Sequence, residues 1–507
     1  MKKTFWGMLS ILVLTACSAS LDNPVPDSGN GQQSEQQGEQ ANVADNFESR
    51  ADWLATAYKK TKPMISSVWN ASVNPEDFVL LFVREDQQKI YLIDDNGKQL
   101  VPQAEWPERY VNDPAELSRG TFLNVSFRGR NSCMILDART QGEQRKTLMG
   151  SSFNPTEYAL DLLSLFYHES FHEYVQEGEN KWIKPPKGDL SSRDQVFPIV
   201  HEPRIYRKLM ILSLVDALNN ESHKAESYSR AKYWLNKFNT EFASEVASVK
   251  ETDIHEGTAE YFGRTIVKSI YSNYPLIQPY DGIALSAPMG TEAYMLSIAI
   301  NLAVREGRKD EVISSFEKGL QSPIEILLKD VAVPASYDES ADKADRDRII
   351  SAIDQIYGPQ SIYFKPLYDI VDTHRKGSNT YLVTKKRSSS MAQSMGIYQL
   401  TDADLVDYSC QVALTQLLVN IELGGCTILT HISTDLYLIP VDAGQLQFTN
   451  VEQVSPKPHG LIKDVTITGK ATLSECTSET VNVLKLPIDV QKGTDKFGNT
   501  LYFLQND

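Results

Sequence analysis

Residues 161–178 read "DLLSLFYHESFHEYVQEG", and this stretch decides how the chain is understood. His168 and His172 stand four apart in an apolar and aromatic run, and Glu169 directly follows the first. On a helix, residues four apart share a face, so both imidazoles can reach one metal ion. Glu169 lies about 100° round the helix from His168, which sets its carboxylate beside the ion's open position rather than on the ion. Zinc suits such a pair because it takes nitrogen and oxygen donors in a tetrahedral site. The competing reading is a core helix with two buried histidines and an incidental acid, and Leu165, Phe166, Phe171 and Val175 fit it. Two imidazoles and a carboxylate are costly to bury without partners, however, and a metal is one.

A third ligand is needed. No further histidine follows at short spacing, but "IHEGTAEYFG" occupies residues 254–263, with Glu256 and Glu260 four apart on an expected helix. An acidic solvated face is the plainer reading; Gly257, Ala259 and Phe262 make it a packed helix instead. Glu256 comes 84 residues after His172, room for two intervening helices.

H-E-x-x-H followed by a helical E-G-x-A-x-Y resembles the gluzincin zinc metallopeptidases, the broad group that includes thermolysin and many bacterial aminopeptidases. The resemblance spans residues 155–265. It implies that His168, His172 and Glu256 hold zinc and that Glu260, one turn on, orients a zinc histidine. In thermolysin and the aminopeptidases the glutamate follows the histidines much sooner. The implied chemistry is hydrolysis of a peptide bond: zinc brings a bound water to a pKa of roughly 7, and Glu169 takes its proton and passes it to the leaving amine. A further donor should steady the oxyanion. Tyr294, His255 and Tyr261 are the candidates, Tyr294 first, because it is expected to open a helix after a loop containing Pro and Gly. His201 and His374 are expected to have no metal role.

The N-terminus, "MKKTFWGMLSILVLTAC", has two lysines and an apolar run too short to span a membrane. Its ending resembles the bacterial lipoprotein signal, which implies lipidation at Cys17 and anchoring by acyl chains in the cell envelope. By the same resemblance, Ser18 rather than Asp after the cysteine implies the outer membrane. A plain secretory signal with a chance cysteine is the alternative. The net charge of −16 argues against nucleic-acid or anionic-membrane surfaces as partners; the expected partner is a peptide or protein substrate. After export, Cys133, Cys410, Cys426 and Cys476 remain, and pairing among the last three is plausible in an oxidising compartment without the connectivity being readable.

The texture changes along the chain. Residues 18–46 are rich in Gln, Ser, Gly and Asn and are expected to be a disordered tether. From Phe47 a helix runs to an interruption near Pro63, followed by strands with Asp95-Asn96-Gly97 as a turn, then "GTFLNVSF" and "NSCMILDA" as further strands. Asn154 and Pro155 open the helix of the histidines, and Gly178 should stop it. Helices are expected over "RIYRKLMILSLVDALNNE", over "AESYSRAKYWLNKFNTEFASEVASVKE", and again from a cap at Thr252 or Asp253, with more at 291–305, 309–319 and 341–357.

The expected fold is therefore α+β. A mainly helical zincin-like catalytic domain with a small N-terminal β layer (residues 47–375) follows the signal peptide (1–17) and tether (18–46). A linker (376–394) and a separate β-rich domain (395–507) complete the chain. Two other functions share these features: a scaffolding lipoprotein with a structural zinc, and a zinc hydrolase of a non-peptide amide such as one in cell wall. Glu169 argues against the first, since a structural site needs no base beside an open position.

Overall fold

The protein is described from a computed structural model. It covers residues 43–140 (except 71 and 72), 152–177, 200–277, 289–360 (except 320) and, outside these, short segments that include strands between 380 and 505. The lipidation signal with Cys17, the tether up to residue 42, Gly178 and His374 lie outside the described residues. The described chain is mixed, helices predominating over a small N-terminal sheet, and it divides into two units. One holds the described residues up to Ser191 together with Glu202–Ala352; the other holds Ser192–His201 and Ile353–Asp507.

In the first unit, helix α1 (Phe47–Thr61) starts where Asn46 accepts the Ser49 amide at 2.8 Å. Phe47, Ala51, Leu54, Ala55 and Tyr58 form its buried stripe. Pro63 then turns the chain through a single 3₁₀ turn, Lys62–Met64, because it cannot donate to the preceding helix. Strands β1 (Leu80–Val83), β2 (Ile90–Asp94), β3 (Gly97–Leu100), β4 (Phe122–Phe127) and β5 (Arg130–Leu136) form a sheet in the order β3-β2-β1-β5-β4. The β2–β3 hairpin closes over Asp95-Asn96, with Gly97 at φ +95° taking the left-handed position.

Strand β1 pairs antiparallel with β2 and parallel with β5. All four of its residues are buried, which requires cover on both faces. Phe82 stacks on Phe47 of α1, 4.9 Å between ring centroids. On the other face, Leu81, Val83, Leu92, Met134 and Leu136 meet Tyr110 of α2 (Glu108–Asn112) and Leu117 of α3 (Pro114–Gly120). Burial of each such side chain is worth about 1.5–3 kcal/mol.

Helix α4 (Pro155–Phe171) carries the histidines and packs on β5. Asn154 caps it, accepting the amides of Thr156 and Glu157 at 3.0 and 3.3 Å, and Pro155 takes the first position. The helix does not stop at His172 but widens into a π-turn, His172–Gln176, in which the Glu177 amide reaches the His172 carbonyl at 2.9 Å. Next come α5 (His201–Asn219), α6 (Lys224–Glu241) and α7 (Ala243–Ile270), then α8 (Met289–Met295) and α9 (Ser297–Arg305).

Three sequence expectations change here. Thr252 and Asp253 do not cap a helix: both are buried inside the 28-residue α7, and the Asp253 side chain pairs with Arg207 rather than with a backbone amide. The break falls instead at Phe242 (φ −130°, ψ 44°), inside the stretch expected to be one helix, where its ring packs against Tyr206 and Phe238. Tyr294 lies near the end of α8 and does not open the following helix, because the chain breaks again at Leu296.

In the second unit, β6 (Val196–Phe197) and β7 (Thr380–Lys385) join eight strands lying between Met395 and Gln505 in one sheet. Strand β7 sits within the segment expected to be a linker. "TYLVTK" is rich in aromatic and β-branched residues, and it pairs with Leu436–Val441 and Thr500–Gln505. Among the described residues no helix is long and apolar enough to cross a membrane. Cys133 is buried and its thiol is free.

Candidate metal centre

Helices α4 and α7 run alongside one another, and two ladders with a period of four face each other across them. His168, His172 and Gln176 stand on the first, Glu256, Glu260 and Arg264 on the second. Two glycines allow the approach. A Cβ on Gly263 would stand 2.6 Å from the Ser164 carbonyl oxygen and 3.3 Å from the His168 amide nitrogen, so α4 and α7 touch there backbone to backbone. A Cβ on Gly257 would stand 3.1 Å from the Ala293 carbonyl oxygen, which admits α8 and with it Tyr294.

Three donor atoms converge. His168 Nε2 and His172 Nε2 are 3.0 Å apart, and one oxygen of Glu256 lies 3.2 Å from the former and 3.3 Å from the latter. A tetrahedral zinc ion with bonds of about 2.0–2.1 Å has ligand–ligand edges of about 3.3 Å, so this triangle is one face of such a site. Among the described residues, His168, His172 and Glu256 are the one His/Cys/Asp/Glu group with this convergence. Glu169 is not among the converging donors.

The rest of each imidazole is held as a ligand requires. His168 Nδ1 lies 3.3 Å from Glu260, and His172 Nδ1 lies 2.5 Å from the side-chain oxygen of Gln176. With a proton on each Nδ1, both Nε2 lone pairs point at the shared position. Glu260 is in turn held by the buried Arg264, whose guanidinium also donates to the Pro275 carbonyl at 3.3 Å.

The charges show what the cluster attracts. Glu169, Glu256 and Glu260 are three carboxylates in a largely buried site. Burial opposes the charge on Glu256, yet His172 and His168 hold its pKa well below the usual range. Burial likewise opposes Glu260, but Arg264 and His168 bring it down to about 2. Burial disfavours the imidazolium of His168, and the Glu256 and Glu260 carboxylates outweigh it, raising the pKa to about 10. The donor set thus favours a positive charge at this position. Glu169 differs: burial raises its pKa, offset only in part by the two histidines.

The surroundings sort the remaining candidates. The Tyr294 ring meets His168 edge-on at 5.4 Å; burial and the Glu256 charge raise its pKa well above the usual value, so its hydroxyl stays protonated. His255 stacks on His172 at 4.2 Å, and burial with the His172 charge lowers its pKa to about 4. Tyr261 packs against Trp69, 6.3 Å between ring centroids. His201 pairs with Asp354 at 2.7 Å and is not among the converging donors. Solvent reaches the centre from the side of Glu256, His172 and His255, whose side chains are 13–19% exposed against 6% for His168.

Behind the centre, Arg207 of α5 grips both Asp253 oxygens of α7 at 2.7 and 3.0 Å and Glu292 of α8 at 2.8 Å. Lys208 adds a contact to Glu292 at 3.2 Å. Asp253 and Glu292 stand close in sequence to Glu256 and Tyr294, so this buried clamp ties together the two helices that carry them. Sequence reading missed Gln176, Arg264 and this clamp. For the first two a signal existed: each stands four residues beyond a named site residue, on the same helix face. No family model matches the chain, and no match was found among curated proteins or solved structures.

Proposed function

We propose that the chain is a zinc-dependent peptidase. The observation that carries this reading is the triangle of His168, His172 and Glu256 donor atoms, open to solvent on one side, with the buried Glu169 beside it and not part of it. Bound there, zinc would supply a Lewis acid and an acidified water. Glu169 takes the water's proton and returns it to the leaving amine, a role its raised pKa favours. Glu260 and Gln176 hold the two imidazoles in the ligating tautomer. Tyr294, protonated and facing the centre, is positioned to donate to the developing oxyanion.

On this reading the helical unit with its five-stranded sheet is a zincin-like catalytic domain, and the strand-bearing unit is a separate β-rich domain. The N-terminal sequence supports export and lipid anchoring at Cys17 to the envelope, the outer membrane in particular. Membrane fractionation tests this: Cys17→Ser should move the chain to the soluble fraction.

The experiment for the activity uses the purified chain with a broad peptide library. Chelator-sensitive cleavage, restored by zinc, is the expected result. Zinc that raises the melting temperature with no cleavage of any peptide would point instead to a structural metal, and cleavage of a non-peptide amide alone would move the substrate class to cell-wall chemistry.

A further inference from the structure

We infer that Gln176 is a positioning residue for the metal, fixing His172 as an Nε2 ligand and tying it to the helix that supplies Glu256. This rests on the metal reading above. Gln176 is 1% exposed and uses both ends of its amide. Its oxygen accepts from His172 Nδ1 at 2.5 Å, while its nitrogen donates to the His255 carbonyl at 2.8 Å and to Thr258 Oγ1 at 2.6 Å. Thr258 spends its own proton on the Ile254 carbonyl at 2.7 Å, so its oxygen is free to accept. With two acceptors facing the nitrogen, the amide has one orientation, and that orientation presents an acceptor to His172. The imidazole then carries a proton on Nδ1, and in its neutral form this leaves Nε2 bare.

The π-turn His172–Gln176 is where the chain departs from regular helix, and Gln176 ends it. Such wide turns occur frequently at functional sites. The two ligating histidines are therefore backed differently. A carboxylate paired with Arg264 stands behind His168, and a neutral amide stands behind His172. A neutral acceptor orients the ring without adding negative charge to a centre that already holds three carboxylates, so a bound ion would keep more of its acidity.

Two variants separate orientation from simple bridging of helices. Gln176→Leu removes both functions. Gln176→Glu keeps an acceptor for His172 Nδ1 and gives up the donors to His255 and Thr258. Zinc dissociation constants are measured by chelator competition, alongside melting temperatures of the metal-free proteins. The expected result is a loss of about 10–100-fold in zinc affinity for Gln176→Leu, in the range typical of such partners, with Gln176→Glu within about threefold of wild type even where its metal-free form melts lower. Unchanged affinity in Gln176→Leu, or equal losses in both variants, would overturn the inference. Should Gln176→Leu not fold, nitrogen NMR of zinc-loaded wild type decides: ligation of His172 through Nε2 supports it, and ligation through Nδ1 overturns it. Absence of zinc binding by the wild type would instead remove the metal reading itself.

Discussion

Gly263 meets Ser164 so closely that a Cβ on the glycine would stand 2.6 Å from the serine's carbonyl oxygen. That contact sets the separation of the two helices whose ladders make the centre. Gly263→Ala must push α4 and α7 apart, because the obstacle is backbone and cannot rotate away. The expected cost is about 1–3 kcal/mol of stability, together with weaker zinc binding, since Glu256 rides on the displaced helix. Thermal melting and zinc titration check both; a variant with wild-type melting and affinity would show that the helices yield there freely.

On the zinc reading, removing Glu256 should empty the site. Glu256→Ala is expected to lose most of its zinc by elemental analysis, while Glu260→Ala should keep the stoichiometry and bind about 10–100-fold more weakly, as an orienting partner does. Full zinc occupancy in Glu256→Ala would place the third donor elsewhere.

Glu169→Gln preserves size and hydrogen bonding but removes the base. Zinc content should stay near that of wild type, while the rate of peptide cleavage falls by about 10²–10⁴-fold. Wild-type turnover in this variant would end the case for Glu169 as the proton carrier and leave the metal site standing.

The metal-free chain should respond to pH through His168. Its proton is held more tightly in the folded state, where the pKa rises from 6.5 to about 10. That contribution to stability is complete below the unfolded value and is lost as pH climbs through the folded one. The metal-free melting temperature should therefore fall between these limits, and less so in His168→Ala. Zinc competes for the same nitrogen, so binding near neutral pH should release about one proton. Calorimetry in buffers of different ionisation heat reads this directly, and no proton release would contradict it.

Arg207 holds two carboxylates in the buried interior. Arg207→Ala leaves Asp253 and Glu292 with less compensation and should cost about 3–5 kcal/mol. Denaturant unfolding measures it; a loss under about 1 kcal/mol would mean that Lys208 and other neighbours suffice to hold both acids.

By itself the sequence determined what lies within one turn or one hairpin. The four-residue spacing of His168 and His172 puts both on one helix face whatever surrounds them, and Asn154 with Pro155 marks where that helix begins. Asp95-Asn96-Gly97 marks the hairpin for the same local reason. The spacing of Glu256 and Glu260 nominated a second pair, but nothing local could bring it to the histidines across 84 residues. Only tertiary packing did that, through the bare backbones of Gly263 and Gly257 and the Arg207 clamp. Packing also decided against the local cap signal at Thr252 and Asp253: a long-range ion pair took the Asp253 carboxylate, and the helix ran on uninterrupted to carry Glu256. The contacts of Gln176 and Arg264 likewise came from the tertiary structure, because an amide or a guanidinium meets such partners only when a second helix or a distant loop supplies them.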